Sequence, residues 1–170
     1  ILSIVDKKAK PAGFYITERK EWLSLINKWK SEHKLAYEQS NDVIKPQQAI
    51  SHLSKILNNK NPIIAAGLGT MGFGLPSSIG AQVAYPDRIV VDIDGDGSFQ
   101  MNIQELATIV QEHLKLKIMI INNSYLGMVR QWQNLFFDSR YAHTDMSIQP
   151  DFVKVAAAYG IEGSRVSNPD

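Results

Sequence analysis

The sequence predicts an α/β fold, a parallel sheet with helices on both faces, and three observations predict it. Two β-branched runs, Arg88-Ile-Val-Val-Asp-Ile-Asp94 and Lys117-Ile-Met-Ile-Ile-Asn122, have the near-continuous apolar character of strands covered on both sides. Segments of helical period stand before, between and after them, the alternation that builds parallel sheets. Both runs end in short polar residues, Asp94-Gly-Asp-Gly-Ser98 and Asn122-Asn-Ser124. In such sheets ligands collect at the carboxyl ends of the strands.

Taken in order, residues 17–30 place Trp22, Leu25, Ile26 and Trp29 at helical spacing among charges. That spacing predicts an amphipathic helix that packs its two tryptophans. Residues 31–45 are polar and unpatterned, and read as a linker. Pro46 opens a second helix, because proline is well tolerated in a first turn. Ile50, Leu53 and Leu57 form its apolar stripe, and Asn58-Asn-Lys-Asn-Pro62 ends it. Pro62-Ile-Ile-Ala65 is a short first strand. Residues 75–84 are rich in small side chains and helical. After the strand over 88–94, residues 102–113 read as a helix with Ile103, Leu106, Ile109 and Val110 inward. The strand over 117–122 precedes helices over 128–136 and 152–159, the last closed by Gly160. The organisation expected is therefore 1–45 as a helix and linker from a preceding region, and 46–170 as the sheet domain. No internal repeat or low-complexity tract occurs.

The chain has 170 residues, 44% of them hydrophobic and 21% charged, enough for one domain with a real core. A formal net charge of +1 provides no basic field for nucleic acid. With no cysteines, disulfides, thiolate metal sites and a cysteine nucleophile are excluded. Residues 1–5 are too short an apolar run, too soon followed by Lys7, Lys8 and Lys10, for a signal peptide or a membrane span. The first residue is Ile1, so the expectation is a chain that begins inside a longer protein.

The two strand ends carry the chemistry. Asp96 offers a carboxylate and Asn123 an amide oxygen, 27 residues apart, the size of one crossover between parallel neighbours. Hard oxygens beside glycines suit Mg²⁺ held against a diphosphate. Gly95 and Gly97 let backbone approach the phosphates, and N–H groups at a helix start favour the anion. Asp-Gly-Asp-Gly alone is as readily an ordinary turn. A second polar strand end one crossover later is what favours a site.

Other readings compete for the same residues. Asp92-x-Asp94-x-Asp96-Gly97 imitates a calcium loop, but its twelfth position is Ile103, where a bidentate glutamate is needed. Gly67-Leu-Gly-Thr-Met-Gly72 fits a dinucleotide fingerprint, with Asp92 and Asp94 near the distance of its acidic partner. A nicotinamide-dependent oxidoreductase is therefore an alternative. It is weakened by the short strand before the glycines, by Phe73-Gly-Leu-Pro76, and by the better claim on Asp94. His33, His52, His113 and His143 show no metal spacing. Ser98 lacks the elbow of a nucleophilic serine. A binding module without chemistry fits the fold equally well.

Longer passages resemble one family. Gly67 to Gln82, Asp94 to Thr108 and Asn122-Asn-Ser-Tyr-Leu-Gly-Met-Val-Arg-Gln-Trp132 are similar to the large subunits of acetolactate (acetohydroxyacid) synthase. Around them stands the thiamine-diphosphate motif Gly95-Asp-Gly97 with Asn122-Asn123. The resemblance runs from about Pro46 to the end. Pyruvate oxidases and decarboxylases share the cofactor motif, and are the alternative within the class. They are less similar around Gly127-Met-Val129 and Gln131-Trp132.

The resemblance implies thiamine diphosphate and Mg²⁺, with Asp96, Asn123 and the Tyr125 carbonyl as metal ligands. It implies that Gly95, Gly97 and Ser98 cradle the diphosphate, that Met71 props the bent cofactor, and that Gly69 contacts its pyrimidine ring. Leu126, Gly127, Met128 and Val129 belong to the cofactor pocket, and Trp132 shapes the second-substrate site. The implied reaction removes carbon dioxide from pyruvate and joins the remainder to a second 2-oxo acid, pyruvate or 2-oxobutanoate, in isoleucine and valine synthesis. A homodimer or tetramer, a small regulatory subunit, FAD bound mostly outside this chain, and a cytoplasmic or plastid setting complete the implication. The family departs from this chain in two ways. Its activating glutamate lies in a domain not present here, so the chain alone is expected to be inactive. Its Gly-Gln-His-Gln segment is missing where Ala65-Ala66 meets Gly67. The expectation is that residues have been left out near 65–66, since true loss would strip half of a cofactor site whose other half is intact.

Overall fold

A computed structural model describes residues 19–32, 36–66 and 69–169. The chain divides into two units at 38/39. In the first, helix α1 (Lys20–Glu32) buries none of its residues. The expected packing of its tryptophans is not found: Trp22 and Trp29 are both more than half exposed. Their spacing forms a helix, but among the described residues no apolar partner closes over it. His33, residues 1–18, and Gly67 and Leu68 of the glycine-rich run lie outside the description.

The second unit holds a three-stranded parallel sheet in the order β1-β2-β3. Helix α2 (Pro46–Ile56) starts at Pro46 as expected, and Asn59 and Asn61 at φ 63° and 44° turn the chain into β1 (Ile63–Ala65). Asparagine tolerates that left-handed backbone better than other side chains. Helix α3 (Gly74–Ala84) then leads to β2 (Val90–Gly95). Helix α4 (Asp96–Met101) follows β2 directly, so the polar strand end, expected as a loop, is a strand-to-helix junction. The single helix expected over 102–113 is interrupted. Asn102, at φ −132°, ends α4, and its amide donates to the Gly72 carbonyl at 2.6 Å instead of facing solvent. A 3₁₀ turn (Ile103–Glu105) and helix α5 (Leu106–Gln111) follow. Leu106 and Ile109 are buried as expected, but Val110 is exposed. Strand β3 (Lys117–Ile121), helix α6 (Gly127–Phe136) and helix α7 (Phe152–Ala158) complete the unit. Asp151 caps α7 by accepting from the Val153 and Lys154 amides, and Gly160 closes it at φ 75°.

Alternation along the strands assigns the two sheet faces. The register pairs Asp92 with Ile118 and Asp94 with Ile120. Ile118 and Ile120 pack on the core of Leu75, Ile79, Phe99, Leu106 and Ile109, so this face lies under α3. Ile64 and Ile93 lie on the opposite face, beside Leu53 of α2 and Leu57 just past its end.

The core face contains an electrostatic anomaly. Asp92 is fully buried and neither carboxylate oxygen has a hydrogen-bond partner. A Cβ on Gly74, the first residue of α3, would lie 2.8 Å from Asp92 Oδ1 and 3.1 Å from Asp94 Oδ2. Only glycine lets the helix start this close to the pair. Burial, with the neighbouring Asp94 charge adding to it, pushes the Asp92 carboxyl up from 3.8 to about 7. The folded state therefore holds a proton that the unfolded chain releases above pH 3.8. Stability is expected to fall as pH rises from about 4 and to level off near 7. Asp92→Asn should remove that slope and raise stability at pH 7 by ~2–4 kcal/mol, as read from urea unfolding at pH 5 and pH 7.5. A slope unchanged in the variant would refute the assignment.

Candidate cofactor and metal site

The register sets the site. Gly95 pairs with Ile121, so Asp96 and Asn122-Asn123 leave the sheet side by side at the carboxyl end of β2 and β3. That is the rim on which the two polar ends are expected to meet.

Asp96 is 2% exposed, and its Oδ2 has no partner. A buried, unpartnered carboxylate oxygen carries a large desolvation cost unless a cation meets it. A Cβ added to Gly95 would meet nothing within 4 Å, so open space adjoins this carboxylate's backbone. The Asp96–Gly97–Ser98 amides form the first turn of α4, an arrangement that favours an anion. Among the described residues no cluster of three His, Asp or Glu side chains is arranged for a metal.

Asn123 Oδ1 accepts from the Tyr125 amide at 2.9 Å and retains a second lone pair. Asn122 serves the loop: its Oδ1 takes the Ser124 amide and the Gln149 amide. Ser124 has φ 59°. Beyond it, residues 124–126 run antiparallel to 144–146, with Leu126 donating to the Thr144 carbonyl and Met146 to the Ser124 carbonyl. Neither bond engages the Tyr125 carbonyl, which stays available as a ligand. The Tyr125 ring has its own task. The Arg130 guanidinium lies 4.4 Å from its centroid and 4.2 Å from that of Tyr141, stacked between the two.

The glycine-rich turn is tied to the same junction. Gly69 and Gly72 take φ of 89° and 82°, open to glycine at little cost. The Gly72 amide donates to Ser98 Oγ at 2.9 Å, which holds this turn and leaves the Ser98 amide and hydroxyl proton, either of them expected at a phosphate, for a ligand. Met71 lies over Gly97: a Cβ there would meet Leu126 Cδ2 at 2.7 Å, Met146 Sδ at 3.0 Å and Met71 Cε at 3.3 Å. The structure thus brings Met71, Gly97 and Leu126 together. It adds Met146 and buried Thr144, which no spacing in the sequence singles out, because their place depends on a non-local strand pairing. Gly127, Met128 and Val129 form the exposed start of α6, and Trp132 is exposed one turn on.

A parallel sheet with a buried carboxylate, an amide oxygen and a glycine-flanked helix start at one rim defines a domain for a divalent cation and a diphosphate. The chain belongs to the family described as thiamine pyrophosphate enzyme, C-terminal TPP binding domain, which matches residues 42–170. It is 44% identical over 186 residues to the mitochondrial acetolactate synthase catalytic subunit of Saccharomyces cerevisiae, covering 92% of this chain and 27% of that protein. To the acetolactate synthase isozyme 2 large subunit of Escherichia coli K12 it is 54% identical over 111 residues, 65% of this chain and 20% of that one. A thiamine diphosphate-dependent 4-hydroxybenzoylformate decarboxylase of Rhodococcus jostii RHA1 superposes with a TM-score of 0.70 at 25% identity, over 78% of this chain and 29% of that one. The chain spans less than a third of the length of these relatives.

Gly97→Ala places a methyl inside the contact distances of Leu126 and Met146, and overpacking of this kind costs about 1–3 kcal/mol. A thermal melt should show the loss. Ala at Gly95, with open space around it, should leave the melting temperature within a degree or two while weakening diphosphate binding.

Proposed function

We propose that this domain binds thiamine diphosphate and Mg²⁺ for an enzyme that decarboxylates pyruvate and joins the two-carbon remainder to a second 2-oxo acid. The products are acetolactate, or acetohydroxybutanoate where 2-oxobutanoate is the acceptor, on the way to valine and isoleucine. The observation that carries this reading is the buried Asp96 carboxylate with an unpartnered oxygen at the strand rim, in a sequence 44% identical to an acetolactate synthase subunit.

When bound, thiamine diphosphate supplies the electron sink that lets a carboxyl group leave. The chain's own residues hold and shape. Asp96, Asn123 and the Tyr125 carbonyl hold the cation. Gly95, Gly97 and the Ser98 amide face the diphosphate. Met71, fixed over Gly97, supports the bend of the cofactor, and Gly69 offers backbone to its pyrimidine ring. Leu126, Gly127, Met128 and Val129 wall the pocket, and Trp132 sets acceptor size. The activating glutamate and most of any FAD site belong to polypeptide outside this chain. The isolated chain is therefore inactive in this reading.

Helix α6 supports assembly with a second catalytic subunit. Arg130 lies between tyrosines and Gln133 is bonded to Ala142, while Met128, Trp132, Leu135 and Phe136 are exposed. A large apolar face turned outward marks a surface that something covers. A small regulatory subunit, and a cytoplasmic or organellar setting (the yeast relative is named as mitochondrial), accompany the reading. Among the described residues no helix is long and apolar enough to cross a membrane. The decarboxylase likeness keeps decarboxylation without ligation as a second reading, with the lower identity against it.

Calorimetric titration with thiamine diphosphate and Mg²⁺ tests the site: Asp96→Asn should weaken binding at least tenfold, and unchanged affinity would overturn the assignment. In the full-length subunit carrying this domain, Trp132→Leu should shift products toward acetolactate by ~10-fold when pyruvate and 2-oxobutanoate compete. An unaltered product ratio would remove Trp132 from the acceptor pocket.

A further inference from the structure

A metal ligand binds well only when the groups behind it fix its aim. The aim of the Tyr125 carbonyl is set by the peptide plane it shares with the Leu126 amide. A trans peptide is planar, so its carbonyl points opposite its N–H. The Leu126 amide donates to the Thr144 carbonyl at 2.9 Å. The position of Thr144 therefore decides where the Tyr125 carbonyl points. The Arg130 stack grips the Tyr125 ring, which turns about its own side-chain bonds without moving that plane.

Thr144 is not held by a sheet. Tyr125 and Asp145 form an isolated antiparallel bridge, and so short a pairing is marginal by itself. The segment that delivers Thr144 from the end of α6 is also strained. Asp138, Ser139 and His143 take left-handed φ of 52°, 58° and 53°. Backbone of this kind persists only where its surroundings over-determine it.

Gln133 of α6 supplies that determination. Its side-chain Nε2 donates to the Ala142 carbonyl at 2.9 Å, and its Oε1 accepts from the Ala142 amide at 3.4 Å. The same Oε1 accepts from the Thr144 hydroxyl at 3.3 Å. Its main-chain carbonyl takes the Phe137 and Ser139 amides at 3.2 and 3.1 Å. Asn134, beside it, accepts from the Ser139 and Tyr141 hydroxyls at 2.8 and 3.0 Å. Thr144 is 2% exposed, so its hydroxyl needs a protein partner. Gln149 ties the other end of the loop, donating to Asn122 Oδ1 and Ser124 Oγ, and the Thr144 end falls to Gln133.

We infer that Gln133 is a positioning residue for the cation: through Thr144 and the Leu126 amide it sets the direction of the Tyr125 carbonyl. It acts through other residues and not as a ligand. The inference rests on the cation site proposed above.

Gln133→Leu removes the three side-chain bonds, while Gln133→Glu keeps the two to Oε1 and loses the one to the Ala142 carbonyl. Amide hydrogen exchange on the 170-residue chain without cofactor should quicken about fivefold at Leu126 and Met146 in Gln133→Leu, with the amides of β2 unchanged. Mg²⁺ titrated into the chain with thiamine diphosphate present should then show a Kd raised about tenfold in Gln133→Leu and by at most about threefold in Gln133→Glu. Excess Mg²⁺ should return the thiamine diphosphate affinity of Gln133→Leu to that of the parent. Asp96→Asn run alongside separates the two readings: a parent chain that binds no better than Asp96→Asn overturns the cation site and this inference together. A parent that binds, matched by Gln133→Leu, overturns the inference alone. So does unmoved exchange at Leu126, a Glu variant as weak as the Leu variant, or a loss that excess Mg²⁺ does not recover, each of which assigns Gln133 a structural part only.

Discussion

The parallel pairing of β2 with β3 is the constraint on which the rest of the sheet unit depends. Because Gly95 stands opposite Ile121, the residues that leave the two strands do so at one level. A slip of one residue would also turn Asp96 away from the rim and send the apolar side chains of β3 to the wrong face. The register is held by the core itself, since Ile118 and Ile120 must meet Leu75, Ile79 and Phe99. Phe99 in turn lies in α4, with its ring edge-on to Phe152 at 5.7 Å. The packing that fixes the register thus also fixes the helix whose first residue is Asp96.

Around that junction, polar groups are spent on geometry. Ser98 and Asn102 both bind the backbone of Gly72, which anchors a turn of two left-handed glycines over α4. Met71 is thereby placed over Gly97, where three apolar side chains leave no room for a Cβ. Asp92 and Asp94 sit behind, facing the start of α3. A fully buried carboxyl without a donor is costly, and burial, with Asp94 beside it, raises Asp92 to about 7, which favours its protonated form below that pH. That expense lies four residues before Asp96, the carboxylate proposed to meet a cation.

Much of this was legible in the residues, and the limits have physical causes. The strands announced themselves through β-branched runs, and the rim through glycines and short polar side chains at their ends. Local pattern could not show that Asp96 begins a helix directly, because the Asp-Gly-Asp-Gly string is equally good turn chemistry. It read 102–113 as one helix because the apolar period continues through Asn102, whose bond to Gly72 is a contact 30 residues distant. Thr144 and Met146 were invisible for the same reason. The tryptophans of α1 have the right spacing for a packed face, but spacing says only which residues share a side, not whether anything lies against it. Family likeness supplies what periodicity cannot: the roles proposed for Met71 and Trp132.

Arg130 joins two parts of the site. Its guanidinium lies between Tyr125, whose carbonyl is a proposed cation ligand, and Tyr141, beyond the end of α6. The helix that carries Met128, Val129 and Trp132 is thus riveted to the cation loop through one side chain. In the proposed reading, a swing of α6 wide enough to admit a bulkier acceptor would pull on that rivet and loosen the cation's seat. Selection for broader acceptors would then be felt as weaker metal retention, a trade-off located in a residue that touches neither substrate nor ion.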